Sequence, residues 1–402
     1  MKHIFSFVAL FIGLTLNAQS WVPQTSVNTA DLFGCHFTDI NNGWVCGVTG
    51  TIEHTNDGGQ VWALQTTPVT AILRGIHFAD LNNGWAVGDN GTIIHTSNGG
   101  NTWTSQTSNT ANQLRSVFFV SATQGWAAGQ AGTILTTTNG GTTWTPQTST
   151  TTQAIFSINF TDANNGWAAG SSSPTTQGFI LHTANGGATW TAQTTPTTQN
   201  LYSVNFSSST QGWASGATGA LFHTVNGGTT WTTQTSPAIH AWRSIMFPSP
   251  LIGWAVGDSG SVVNTINGGT TWTVQPTFII SWMRCVYFVN NFAGWTVGDN
   301  GTILRYSSPA AVNENETATS ITAYPNPSEG NFSFNVNVVS AQTLHVTLTD
   351  VLGKTVFEQE IYSQPGEHCL QVGIPYACTD GIYMLKVEGE EFRGFGRVII
   401  SR

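Results

Sequence analysis

The sequence predicts an all-β chain: a seven-bladed β-propeller closed by its own N-terminal strand, then a small Ig-like β-sandwich. Three observations carry this prediction. The composition suits short strands and tight turns, a Gly-Trp unit recurs about every 41 residues, and the repeat that is incomplete at its C-terminal end is completed at its N-terminal end. Of 402 residues only 8% are charged, with 44 Gly, 16 Trp and 22 Phe. Such an apolar, weakly charged chain can bury enough surface to fold, which excludes a disordered polymer. The formal net charge of -9 with only 11 Lys and Arg argues against a nucleic-acid binder, which needs clustered cations to displace counterions.

Met1-Lys2-His3 followed by the apolar run Ile4 to Leu16 and the small polar exit Asn17-Ala18-Gln19 reads as a secretory signal peptide over 1–18. The run is too short to span a bilayer, and no later stretch is long and apolar enough, so no transmembrane segment is expected. Five cysteines fit an export route with few disulfides. Cys35 and Cys46 lie on neighbouring strands of one predicted hairpin and Cys369 and Cys378 are close in sequence, so either pair could bridge, with Cys285 left over. Alternatively, Cys35, Cys46 and Cys285 act as small apolar residues in place of Ile or Val. No Cys/His spacing indicates a metal, and no cofactor is expected.

The propeller is expected over 20–308. A Gly-Trp pair recurs at Trp44, Trp85, Trp126, Trp167, Trp213, Trp254 and Trp295 in steps of 41, 41, 41, 46, 41 and 41 residues. A second Trp recurs at Trp62, Trp103, Trp144, Trp190, Trp231 and Trp272 in the same steps, the long one reflecting an insertion around Ser171 to Gly178. One period contains four short β-rich runs, such as Leu73 to Phe78, Gly84 to Gly88, Thr92 to Thr96 and Thr102 to Thr107, separated by Asn- and Gly-rich turns. Four strands in such a period make one propeller blade. No second Trp follows Trp295, but Trp21 stands 41 residues before Trp62, and Trp21-Val22-Pro23-Gln24-Thr25-Ser26 copies the repeat around Trp144. The missing outer strand of the last blade is therefore expected from the start of the chain, which closes the ring and removes an open sheet edge.

Thr55-Asn56-Asp57-Gly58-Gly59-Gln60-Val61-Trp62 fits the Asp-box pattern, and five further copies keep the spacing with Asn98, Asn139, Asn185, Asn226 and Asn267 in place of Asp57. Short polar side chains there read as turn clips. With Phe-x-Asp, Gly-Trp-Ala-Val-Gly and Gly-Thr-Ile, these boxes resemble the propellers related to the photosystem II stability and assembly factor. They resemble more loosely the sialidase, sortilin-type and xyloglucanase Asp-box propellers. The resemblance implies fold more than function.

A linker is expected over 309–322 and a C-terminal domain over 323–402, where period-two strands such as Phe334, Val336 and Val338 read as a β-sandwich. Pro325-Asn326-Pro327 with Gly330, Asp350 with Gly353-Lys354, and Gly381-x-Tyr383 with Lys386 resemble the type A C-terminal sorting domain of the Bacteroidetes type IX secretion system. That resemblance implies passage through the periplasm, a secretion-machinery partner, and release or attachment at the outer surface.

The propeller carries little that suggests catalysis. Asp39, Asp80 and Asp162 share one turn position, Asp89, Asp258 and Asp299 another, and Asp57 is in its box, which leaves Asp31 and Glu53 on different strands. A glycosidase needs two carboxylates flanking one bond, so a secreted glycoside hydrolase ranks second to a non-catalytic binding or scaffold role, and an assembly factor for a membrane complex third. His54, His95, His182 and His223 recur on the third strand of separate blades, too dispersed for one metal. The most suggestive position lies at the start of the first strand, occupied around the ring by Phe33, Arg74, Arg115, Phe156, Tyr202, Arg243 and Arg284. Guanidinium forks with aromatic faces suit an anion or acidic glycan, or else glue neighbouring blades. The partner at the propeller is expected to be an extracellular protein or glycan, with no nucleic acid involved.

Overall fold

The computed structural model describes residues 20–171, 177–307, 319–350, 354–375, 380–389 and 392–401. The expected signal peptide and most of the expected linker lie outside them. The chain divides into two compact units, Met1–Ala310 and Ala311–Arg402.

Among the described residues of the first unit, seven four-stranded antiparallel sheets form the blades. Their inner strands are Leu32–Phe37, Leu73–Phe78, Leu114–Phe119, Ala154–Phe160, Leu201–Phe206, Trp242–Met246 and Met283–Phe288. Each lies beside the next, and the seventh lies beside the first, so the ring is closed. The last blade takes Met283–Phe288, Ala293–Gly298 and Ile303–Ser307 from the end of the repeat region and Ser20–Gln24 from its start. That strand pairs antiparallel with Ile303–Ser307, Trp21 opposite Tyr306 and Gln24 opposite Ile303.

Strand alternation sends each Gly-Trp indole into the interface with the following blade, where the seven Trp are 1% exposed or less. Each stacks on the Phe at, or one residue past, the end of the next inner strand: Trp44 on Phe78 at 3.7 Å between ring centres, Trp85 on Phe119 at 3.5 Å, and Trp295 on Phe37 at 3.7 Å across the closure. The glycine before each Trp is required by the same stack. A Cβ on Gly84 would stand 2.4 Å from the Phe78 ring. In six blades the indole Nε1 also donates to an Asp-box glycine of the next blade, as Trp85 does to the Gly140 carbonyl at 3.1 Å.

A glutamine at the end of the outer strand completes the interface at six of the seven seams. Gln106 donates to the Gly140 carbonyl at 2.8 Å and accepts from Trp144 Nε1 at 3.1 Å, and Gln24, Gln65, Gln147, Gln193 and Gln234 repeat this clamp. The seam between blades 6 and 7 differs because the split last blade has no Asp box. Gln275 turns back to Asn264 of its own blade, and among the described residues the buried Nε1 atoms of Trp21 and Trp254 have no hydrogen-bond partner. Edge-to-face packing of Trp21 on Trp254 at 5.5 Å takes the place of the clamp.

The Asp boxes are turn clips. Asp57 accepts from the Thr55 hydroxyl and the Val61 amide, at 2.8 and 3.0 Å. In the other boxes the Asn oxygen plays that role and its Nδ2 donates to a threonine four residues on, as Asn98 does to Thr102 at 3.0 Å. Val61 has no hydroxyl to receive such a donor, which suits the carboxylate at Asp57.

The second unit contains a five-stranded sheet, in the order Thr319–Ser320, Arg393–Ile400, Gly381–Glu388, Gln342–Thr349, Thr355–Ser363, and a two-stranded sheet of Asn331–Val338 and Gly366–Gly373. Phe332, Phe334, Val336, Leu344, Val346, Leu385 and Val398 fill the core. Asn326, between Pro325 and Pro327, donates from Nδ2 to the Arg397 carbonyl and accepts from the Ile399 amide, so the motif clasps the terminal strand. Gly330 takes a φ of 116°, the Asp350 carboxylate accepts the Lys354 amide at 2.9 Å, Tyr383 is buried, and Lys386 pairs with Glu388 at 2.7 Å. Gly381 opens its strand, while Gly353 lies outside the described residues.

Replacing Trp167 by Ala should cost about 3–5 kcal/mol, measured as a shift in urea midpoint. Gln106→Ala should destabilise by about 1–3 kcal/mol because it leaves the buried Trp144 indole N–H unpaired and takes one of two donors from the Gly140 carbonyl. Gln275→Ala, which cuts no bond between blades, should cost clearly less in the same measurement.

Candidate functional site

The seven residues singled out at the start of the inner strands form one belt. Phe33, Arg74, Arg115, Phe156, Tyr202, Arg243 and Arg284 are all half-buried there. Arg74 lies 5.3 Å from the Phe33 ring centre, Arg115 4.8 Å from Phe156, Arg243 4.7 Å from Tyr202, and Arg284 5.6 Å from Phe33. The sequence reading missed Trp282, which sits between Arg243 and Arg284 at 5.1 and 4.9 Å.

It also missed how the cations are balanced. Arg74 pairs with Asp89, Arg243 with Asp258 and Arg284 with Asp299, each through Nε and Nη2, with closest approaches of 2.5, 2.7 and 2.8 Å. Each acid stands 15 residues after its arginine, in the turn that follows the second strand of the same blade. These aspartates therefore do more than build turns. The signal was present in the sequence as a fixed spacing.

Arg115 is the exception. Fifteen residues on, its blade has Gln130, whose amide bonds Gln113 instead. Among the described residues, the buried Nε of Arg115 has no hydrogen-bond partner. Burial, and then the neighbouring Arg74 charge, pull its pKa down to about 10 against the opposing pull of Asp89. The guanidinium thus stays protonated at neutral pH, and one cation of the belt lacks an acid of its own.

The loop entering the last blade adds an apolar surface at this end. Phe278, Ile280 and Trp282 are 96%, 89% and 43% exposed, and Ile239 on the loop before it is 86% exposed. Phe278 also holds a φ of 56°, a backbone region that bulky side chains rarely adopt. At the corresponding place after the outer strands of blades 2 and 3 stand Asn109 and Thr150, with φ of 58° and 61°.

At the other end of the inner strands, a cavity of about 720 Å³ is lined by His36, His77, Tyr287, Asp39 and Asp80. The His36 ring lies 4.3 Å from that of His77 and 4.4 Å from that of Tyr287. Burial lowers the pKa of His77 to about 3, and burial together with the nearby His77 holds His36 well below its ordinary value. No group of three or more metal-ligating side chains occurs among the described residues. His54, His95, His182 and His223 stack on Trp44, Trp85, Trp167 and Trp213, a packing role.

The two acids left over by the repeat also hold structure. Glu53 is fully buried and accepts from the Ser26 hydroxyl and the Val27 amide, which fixes the chain just after the closing strand, and burial raises its pKa. Asp31 accepts the Asn300 amide at 2.8 Å. The expected Cys35–Cys46 option is closed off by register. Cys35 faces Val45 and Cys46 faces Gly34, so the two thiols lie on opposite faces of the first blade, in separate cores. Cys369 lies 3.0 Å from the Tyr324 hydroxyl, and Cys378 is outside the described residues.

A closed ring of seven blades, six of them carrying an Asp box, with a mixed arginine and aromatic belt defines the first unit as a propeller of the Asp-box class. Residues 62–149 and 146–238 match the family model of the photosynthesis system II assembly factor YCF48, and residues 322–401 match the secretion system C-terminal sorting domain. The chain thus joins a YCF48-like propeller to a type IX sorting domain, which implies secretion or display at the outer surface. Among solved structures, YCF48 bound to D1 peptide is similar at 22% identity and a TM-score of 0.63, covering 73% of this chain and 96% of that one. YCF48 from Cyanidioschyzon merolae is similar at 20% identity and a TM-score of 0.62, covering 73% and 100%. The WD40 propeller of Doa1 is similar at 10% identity and a TM-score of 0.60, covering 72% and 97%. At these identities the likeness is one of fold. No curated protein matches the sequence.

Burial lowers the pKa of His36 and His77, and also of His54, His95, His182 and His223, so the propeller should lose stability in acid. The unfolded chain protonates His36 and His77 near pH 6.5 and the folded state resists, so their contribution is complete above that pH and falls as pH drops toward about 3. Urea midpoints should therefore decline between pH 6.5 and pH 4. His77→Phe, which copies Phe118 of the next blade, should flatten that decline.

Proposed function

We propose that this chain is an exported, non-catalytic binding protein whose propeller takes up a carboxylate-bearing, apolar-flanked peptide segment of an extracellular partner at the Arg115 end. Arg115 carries this reading. A half-buried guanidinium over an aromatic ring, with no acid of its own, is a forked donor short of an acceptor. The exposed Phe278, Ile280 and Trp282 supply apolar contacts at the same end. A YCF48 propeller has been solved with a peptide bound, which supports a peptide over a glycan. Glu53 and Asp31 are held by structural hydrogen bonds, which favours binding over hydrolysis.

The test is calorimetric titration of the full chain with short peptides ending in a hydrophobic residue and a free carboxylate, alongside their amidated forms. Binding should need the carboxylate and weaken with salt. Arg115→Gln should reduce affinity about tenfold or more. Gln130→Asp, which installs the acid found in the other arginine blades, should reduce it likewise. Equal binding by all three proteins, or no preference for the free carboxylate, would remove the site.

A further inference from the structure

Two cysteines break the repeat at the same seam. Cys285 stands in the last blade where blades 3 to 6 have Ser116, Ser157, Ser203 and Ser244. Each of those hydroxyls accepts a backbone amide of the next inner strand, from Ile158, Val204, Ile245 and Val286, at 3.1 to 3.3 Å. Cys285 makes the corresponding reach, its sulfur 3.7 Å from the carbonyl oxygen of Cys35 in the first blade. Cys35 in turn replaces the Ile or Val found there in every other blade: Ile76, Val117, Ile158, Val204, Ile245 and Val286. The two side chains share one core, packed against Val45, Trp295 and Val297.

We propose that Cys35 and Cys285 are oxidised to a disulfide that staples the first blade to the last in the exported protein. The seam is where a covalent tie has most effect, since the bond closes a loop of nearly the whole propeller. Contact with Cys35 lowers the pKa of Cys285, burial raises that of Cys35, and Cys285 is the less buried of the two, so the Cys285 thiolate is the attacking group. It displaces one thiol from a disulfide-bearing oxidant of the export compartment to give a mixed disulfide. The Cys35 sulfur, losing its proton, then displaces the second thiol. The donor disulfide is reduced by two electrons to two thiols, and the two cysteines are oxidised. In the closed ring Cys35 is buried and Cys285 only half-buried, so Cys285 is the thiol that an oxidant reaches first.

Full-length protein refolded in a glutathione and glutathione-disulfide mixture tests this by non-reducing peptide mapping. The expected product joins the peptides containing Cys35 and Cys285. Its thermal midpoint should fall by roughly 5–10 °C on adding dithiothreitol. Cys285→Ser, which restores the serine of blades 3 to 6, and Cys35→Val, which restores the usual apolar residue, should fold and show no such fall. Full alkylation of both cysteines after denaturation of the oxidised sample would overturn the proposal. So would linkage of either to Cys46, or an equal loss on reduction in Cys285→Ser.

Discussion

The contact between neighbouring blades is the constraint on which the rest of this propeller depends. A blade alone is a small twisted sheet with two apolar faces and cannot bury either. The stacked Trp and Phe rings, joined by a glutamine that holds both an indole and a turn carbonyl, turn seven such sheets into one body. The clamp satisfies polar atoms that burial would otherwise strand. It also ties the Asp-box turn of each blade to the blade before it, so the boxes serve the interface as well as their own hairpins.

Closing the ring with the start of the chain has a local cost. The last blade borrows its outer strand and so has no Asp box, and the indoles of Trp21 and Trp254 lose the acceptors that their counterparts enjoy. Apolar packing of Trp21 against Trp254, Phe288 and Tyr306 offsets part of this. The opposite side of the same blade carries Cys285 against Cys35. The two interfaces of the split blade are thus the places where this ring departs most from its own repeat.

The belt at the start of the inner strands follows a different logic. Repetition alone would make it uniform, yet it mixes guanidinium and aromatic groups, and one of its four cations lacks the acid that the others have. Bulky apolar side chains crowd the adjoining loop, one of them on a strained backbone. The unpaired Arg115 and the exposed Phe278 and Ile280 add little to packing between blades. Departures from the repeat that do not serve packing are where a binding role is best sought.

The blade count, the borrowed strand, the turn clips and the export module were legible in the sequence, because a fixed period and turn chemistry are local properties. The belt's residues were legible too, but not their pairing. The spacing from Arg74 to Asp89 could be read along the chain, whereas its meaning depends on two strands of one blade lying side by side. Trp282, the clamp of Gln106 and the meeting of Cys35 with Cys285 belong to the tertiary structure alone. Each joins different blades, and no repeat pattern says which side chains on facing sheets will touch once the circle is complete.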